Sequence, residues 1–310
     1  MTPSIPHNLR GKTLFITGAS RGIGLAIALR AAREGANVTI AAKTAEPHRH
    51  LPGTIHTAAL AVEEAGGKAL PLQVDVRDEA QVASAVAQTV ERFGGIDICV
   101  NNASAIYQAT TLETEMKRFD LVHDVVARAA FMVTRTCLPH LLRADNPHVL
   151  MFSGPPDLDP KVLARSVHQI VAKYNASLFM IGMAEEFRTG GVAFNALRPR
   201  TWIGTSAIQF RRGDAAMDHC RKPEIMADAA CAIFRRPARA FTGQFVIDDE
   251  ILFEDGERDF AQYRNHPTAP LYASGMALPS EMPEYARDVI APPGQMGENA
   301  HTIIVPGTAP

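Results

Sequence analysis

Residues 17–24 read TGASRGIG, between a short apolar run, TLFIT (13–17), and an alanine- and leucine-rich segment, LAIALRAAREG (25–35). Glycines at 18, 22 and 24 let the chain reverse sharply and leave backbone N–H groups uncovered by side chains. They also aim the first turn of the following helix at whatever lies beyond. A helix N-terminus carries unpaired N–H donors and partial positive charge, so a pyrophosphate is the expected occupant. The strand before and the helix after separate this pattern from a chance cluster of glycines.

The same alternation runs down the chain. Apolar runs at 37–42 (NVTIAA), 69–74 (ALPLQV), 96–101 (IDICVN), 148–152 (HVLMF), 192–197 (VAFNAL) and 244–247 (QFVI) are separated by longer helix-forming segments. Runs that are apolar without a polar residue at every second place are buried on both faces, which calls for a parallel sheet covered by helices on each side. The expected fold is α/β: a doubly wound, Rossmann-type parallel sheet of about seven strands, with ligands at the carboxyl ends of the strands. One domain is expected over 1–255. After Glu254 the periodicity stops, and residues 256–310 hold eight of the 21 prolines and three of the five tyrosines. This extension is expected to be irregular, lying over the domain or a partner subunit, or else closing the substrate pocket.

Composition narrows the partner. With 31 basic against 33 acidic residues the formal charge is −2, too weak a field to attract nucleic acid or anionic lipid, so a small molecule is expected. Basic doublets such as Arg211 and Arg212 lack interleaved aromatics. The four cysteines, Cys99, Cys137, Cys220 and Cys231, form no C-x-x-C pair, which fits a reducing cytoplasm. The first residues, MTPSIPHNLRGK, lack a secretory apolar region, and no run approaches the length of a membrane helix. His48, His50 and His56 are spaced too loosely to predict a metal.

Which dinucleotide fits depends on what meets the adenosine ribose. A 2′-hydroxyl is usually held by a carboxylate at the end of the second strand, but here that strand ends Ala41, Ala42, Lys43. Arg21 inside the glycine turn, Lys43 and Ser20 together suit a 2′-phosphate, which favours NADP over NAD.

Taken in order, TGASRGIG, VDVRD (74–78), NNAS (101–104) and a lysine at 173 in the helix after the fifth strand resemble the short-chain dehydrogenase/reductase family over roughly residues 9–250. Within it, AAKTAEPHRHLPGTIHTAA, MAEEF and CRKPEIMADAA are similar to the hydroxysteroid-dehydrogenase-like branch. Some members of that branch carry a sterol-carrier domain after the dehydrogenase, for which the stretch after Glu254 is too short. The resemblance implies that Gly18, Ser20, Arg21, Gly22, Ile23 and Gly24 form the cofactor turn, that Asp75 and Val76 flank the adenine, and that Asn102 and Ala103 pass beneath the adjacent ribose. Lys173 would hold the nicotinamide ribose, with Ile203 and Thr205 reaching the carboxamide and phosphates. A homo-oligomer, dimer or tetramer, is implied as well.

Catalysis is where the resemblance breaks. The family protonates the alkoxide left by hydride transfer from a tyrosine one helical turn before the lysine, beside a serine and supported by an asparagine. Those positions hold Gln169, Gly154 and Val126. Lys173, Ser153 one residue early, and Tyr107 near the cofactor loop remain as catalytic candidates. Tyr107 can instead pack against substrate or a lid. His168 and Tyr174 point elsewhere on the helix, and Arg198, Arg200 and Trp202 could bind an acidic or planar substrate or be solvated. Three readings follow: an NADP-dependent oxidoreductase for an apolar carbonyl or alcohol with a weakened proton relay; a lyase, isomerase or hydratase on the same fold; or an inactive NADP-binding sensor or partner subunit.

Overall fold

In a computed structural model, which describes residues 8–47, 51–274 and 282–292, the seven apolar runs become one sheet. Its strands are β1 (Thr13–Thr17), β2 (Asn37–Ala42), β3 (Lys68–Gln73), β4 (Ile98–Asn101), β5 (His148–Met151), β6 (Ala193–Arg198) and β7 (Phe245–Ile247). They are all parallel, in the order β3-β2-β1-β4-β5-β6-β7. The order reverses between β1 and β4, the crevice where an open α/β sheet binds its ligand.

Helices cover both faces: α1 (Gly22–Ala32), α2 (Ile55–Glu64), α3 (Glu79–Phe93), α4 (Met116–His123), α5 (Ala129–Leu141), the single turn α6 (Pro160–Leu163), α7 (Val167–Glu186), α8 (Ser206–Arg212), α9 (Glu224–Arg235) and α10 (Asp248–Glu254). A π-helical turn, Asp124–Arg128, joins α4 to α5. Successive strand residues go to opposite layers, as the unbroken apolar runs require. Leu14 and Ile16 pack with Ile27, Ile233 and Phe234 on the α1/α2/α9 side, whereas Phe15 packs with Cys99, Val133, Cys137 and Phe194 on the α3/α5/α7 side. The β3 run departs from the expectation of burial on both faces, because it is the sheet's edge strand and is only half-buried along its centre.

Past Glu254 the described residues form only short turns and two-residue strands, and they are well seated. A 3-10 turn, Phe260–Tyr263, sinks two rings into the α9 side of the core, and the Tyr263 hydroxyl donates to Asp228 at 2.8 Å. Two-residue strands β8 (Leu271–Tyr272) and β9 (Val289–Ile290) pair with each other, and Trp202 N–H donates to the Tyr272 carbonyl at 2.7 Å. Asn265 crowds Gly204, where an added Cβ would stand 2.3 Å from its amide nitrogen. The described part of the tail therefore covers the segment that leaves β6.

That segment is locked from beneath by charge. Arg200 donates to Asp249 at 2.8 Å and to Glu250 at 2.7 Å, and Arg221 donates to Asp249 at 2.7 Å. Arg200, Arg221 and Asp249 are all buried. Burial, with the Asp249 charge beside it, pushes the neighbouring Asp248 up to about 6.

Candidate active site

The site is assembled where β1 and β4 end. Thr17, the last residue of β1, accepts at its hydroxyl from the backbone N–H groups of Asn102 and Ala103, both at 3.0 Å, and donates to the Val100 carbonyl at 3.2 Å. The Asn102 amide nitrogen returns across the crevice to the carbonyls of Thr17, at 2.9 Å, and Gly18, at 3.1 Å. Two adjacent strand ends are thus held by side chains as well as by the ladder.

The glycines are explained by this closeness. Gly18 has φ +68° and lies 3.0 Å, measured from an ideal Cβ, from Ala103. A Cβ on Gly24 would stand 2.5 Å from the Asn102 amide nitrogen and 2.9 Å from the Gly18 carbonyl oxygen. Gly22, with φ +58°, has Thr205 as its nearest neighbour at 3.4 Å, which brings the loop after β6 against the glycine turn. Gly24→Ala should therefore displace the turn. We expect it to cost about 1–3 kcal/mol of stability and to weaken dinucleotide binding by about tenfold or more, as read by thermal melting and NADPH fluorescence titration.

Beside the glycine turn, Arg21 donates Nη2 to the Gly53 carbonyl at 3.0 Å, while its Nε is buried without a partner among the described residues. Ser20 is buried under the same loop. Lys43 is exposed and pairs with Asp75 at 3.2 Å. Asp75 is gripped at 2.6 Å by Arg77, whose guanidinium holds the carboxyl well below the usual carboxylate range. Arg77 was not among the sequence candidates. Val76 is buried, Ile23 packs onto the core, and Ile203 is buried and bridged to Arg221. The buried Arg21 donor, the glycine cradle and the α1 N-terminus suit a dinucleotide's phosphates.

The helix after β5, α7, carries the lysine. Lys173 donates to the Phe152 carbonyl at 3.1 Å, and burial lowers its pKa from 10.5 to about 8 although part of the side chain remains accessible. Ser153 is turned onto α7. It is buried, donates to the Lys173 carbonyl at 2.9 Å and lies 2.5 Å from the Ser177 hydroxyl, which in turn donates to the Gly154 carbonyl at 2.7 Å. Gln169 is buried and accepts at Oε1 from the Tyr107 backbone N–H at 2.8 Å. Val126 lies in the π-helical turn and forms a small apolar cluster with Val122 and Ala172, against which Ala105 and Tyr107 pack.

The arginine expectation needs correcting. Arg200 is consumed by Asp249 and Glu250 and is not offered to a ligand, and the Trp202 ring packs edge-on against Tyr272 of the tail at 5.2 Å. His168 is a buried residue whose ring lies 5.9 Å from the Tyr107 ring, and Tyr174 donates to the Asp157 carbonyl. No group of three or more potential metal ligands converges among the described residues, and His48 and His50 lie outside them. Among the described residues no helix is long and apolar enough to cross a membrane.

Comparison with known proteins agrees with this geometry. A family described as short chain dehydrogenase matches residues 12–211. The chain is similar to hydroxysteroid dehydrogenase-like protein 2 of Danio rerio, 56% identical over 263 residues, covering 85% of this chain and 63% of the relative. The Homo sapiens protein of the same name is 50% identical with 85% and 62% covered, so the chain spans under two thirds of these relatives' length. A solved short chain dehydrogenase from Mycobacterium thermoresistibile superposes with a TM-score of 0.84 at 48% identity, covering 94% of this chain and all of that one. A Rossmann-type sheet switching strand order at a glycine turn, Asn102 tied to Thr17 and a lysine on the helix after β5, together with these matches, mark the chain as a member of the short-chain dehydrogenase/reductase family.

Proposed function

We propose that the chain binds NADP(H) at the glycine turn and acts as a slow oxidoreductase on an apolar carbonyl or alcohol. The observation that carries this reading is a split within one site: the cradle built by Thr17, Gly18, Gly24 and Asn102 is whole, while the acid position holds Gln169. Bound cofactor supplies the hydride. Arg21 and Lys43 hold the 2′-phosphate, with Ser20 beside them, and Asp75 and Val76 flank the adenine. Lys173 donates to the ribose hydroxyls, and Ile203 and Thr205 close over the far end. The chain's weak step is the proton. Gln169 has none to give, Ser153 is occupied by α7, and a positioned general acid contributes about 10²- to 10⁴-fold, so protonation must come from water or from Tyr107.

NADPH titration followed by fluorescence tests the cofactor claim. Binding in the micromolar range with NADPH favoured over NADH, and loss of that preference in Arg21→Ala, support it; empty glycine turns in cofactor-soaked crystals sink it. Lys173 also gives the binding a pH dependence. Its pKa is depressed to about 8, so the ammonium is largely present at pH 7 and lost as pH rises through 8. Cofactor affinity should fall between pH 7 and 9.5, and Lys173→Met should flatten that fall along with lowering affinity.

A second reading, an NADP-binding sensor or partner subunit without turnover, is favoured by Gln169 being spent on the Tyr107 backbone. Tight NADPH binding without oxidation across a ketone and aldehyde panel would select it. A homo-oligomer, dimer or tetramer, is supported by an exposed apolar stripe on α7, Val167, Val171, Leu178 and Ile181, beside Phe131 of α5. Sedimentation velocity reads the state directly. Four free, buried cysteines support a cytoplasmic location.

A further inference from the structure

The replacements at 126 and 169 meet at the same residue. Gln169 Oε1 accepts the Tyr107 N–H at 2.8 Å, and the Tyr107 ring packs against the cluster containing Val126. A backbone N–H can only donate, so the amide oxygen must face it. The rest of the loop is fastened at three further points. The Tyr107 ring lies 5.6 Å from the Arg118 guanidinium and 5.9 Å from the His168 ring, Ser166 donates to the Ala109 carbonyl at 3.4 Å, and Arg211 donates to Gln108 at 2.8 Å. Helices α4, α7 and α8 thus each hold one side of it. Nearer β4, Asn102 and Ala103 are fixed separately by Thr17. The two halves of this loop have independent anchors.

We infer that Gln169 and Val126 form a seat for Tyr107, and that the seated ring is a wall of the substrate pocket that selects a flat, apolar carbonyl compound by contact with the ring. Gln169 is then a positioning residue: it keeps the loop in place where a phenol would have exchanged a proton. Tyr107 is the specificity-determining residue. Its hydroxyl makes no hydrogen bond among the described residues, so the ring's place is set by packing and by the backbone bond. The seat stands on geometry alone; the ligand class rests on the proposed function above.

Hydrogen exchange of the whole chain tests the seat. The Tyr107 amide should exchange at least about tenfold faster in Gln169→Leu, which keeps the bulk and loses the acceptor, than in the unsubstituted protein. Gln169→Glu keeps an acceptor at the same reach and should restore the protection. NADPH affinity should stay within about twofold in Gln169→Leu, which adds no charge beside Lys173 and leaves Thr17 untouched. Equal exchange in Gln169→Leu and the parent overturns the seat. For the wall, acetophenone and 2-naphthaldehyde are titrated against the NADPH-loaded protein. Tyr107→Ala should weaken both by about fivefold or more, and Tyr107→Phe by less than about twofold. Loss of binding in Tyr107→Phe would assign the selection to the hydroxyl and overturn the wall, as would unchanged binding in Tyr107→Ala or no binding by the parent. Failure of NADPH itself to bind would reject the proposed function while the exchange result still decides the seat.

Discussion

Placing tyrosine at 169, serine at 154 and asparagine at 126 together should raise carbonyl reduction by about 10²-fold or more, the low end of what a positioned general acid supplies. Hydride transfer leaves an alkoxide whose protonation needs a donor within hydrogen-bond reach, and a phenol at 169 would stand one turn from Lys173 on the same face of α7. The ammonium charge there favours the phenolate and so lowers the phenol's pKa toward working pH. Gln169→Tyr alone should recover only part of the gain. It removes the acceptor of the Tyr107 N–H and must fit a larger side chain into a buried position. Steady-state kcat with a ketone and aldehyde panel at saturating NADPH reads the effect, and NADPH affinity serves as the control for an intact cradle. If the triple variant binds NADPH as the parent does and turns over no faster, proton supply is not what limits this chain.

Asp249→Ala should destabilise the protein by about 3–5 kcal/mol, because it leaves the guanidinium groups of Arg200 and Arg221 buried and short of a partner. Arg200 retains Glu250, so the loss falls mainly on Arg221, whose Nε is already unsatisfied. For a chain of this size a drop in Tm of about 10 °C is the corresponding signal. Glu250→Ala, which removes a half-exposed carboxylate, should cost less than about 1 kcal/mol and provides the comparison. A melting temperature unchanged in Asp249→Ala would mean the cluster does not hold the segment after β6. Asp248 gives the same cluster a pH signature. Its folded pKa is raised to about 6 from 3.8, so between those values the folded chain binds more protons than the unfolded one. Its cost to stability is therefore complete above pH 6 and is relieved as pH falls from 6 toward 3.8.

Much of this architecture is local and was readable as sequence. The glycine turn, the seven strands and the lysine on α7 depend on residues within one element or its immediate connection, and periodicity reports those directly. Apolar runs do not say which strand is an edge, so β3 read as buried. The contacts that sequence did not announce share a different property: the partners are far apart in the chain. Arg200 meets Asp249 and Glu250 from 49 and 50 residues away, and the Tyr107 backbone is held from 62 residues away. Ser153 looked available because nothing nearby in sequence announces Ser177, 24 residues on. That glutamine, glycine and valine stand at 169, 154 and 126 was visible at once, whereas what Gln169 and Val126 hold in place required the fold.

The hydroxyl at the tip of β1 shows how unevenly change can fall on such a site. Thr17 spends its one proton on Val100 and receives two from Asn102 and Ala103, so it has no spare valence. Serine could replace it atom for atom. Valine, although nearly the same shape, would leave the Ala103 N–H without its acceptor and the Asn102 N–H with only its 3.1 Å bond to the Val100 carbonyl. Changes at 126, 154 and 169 leave this joint untouched, whereas a change at Thr17 reaches three backbone groups at once.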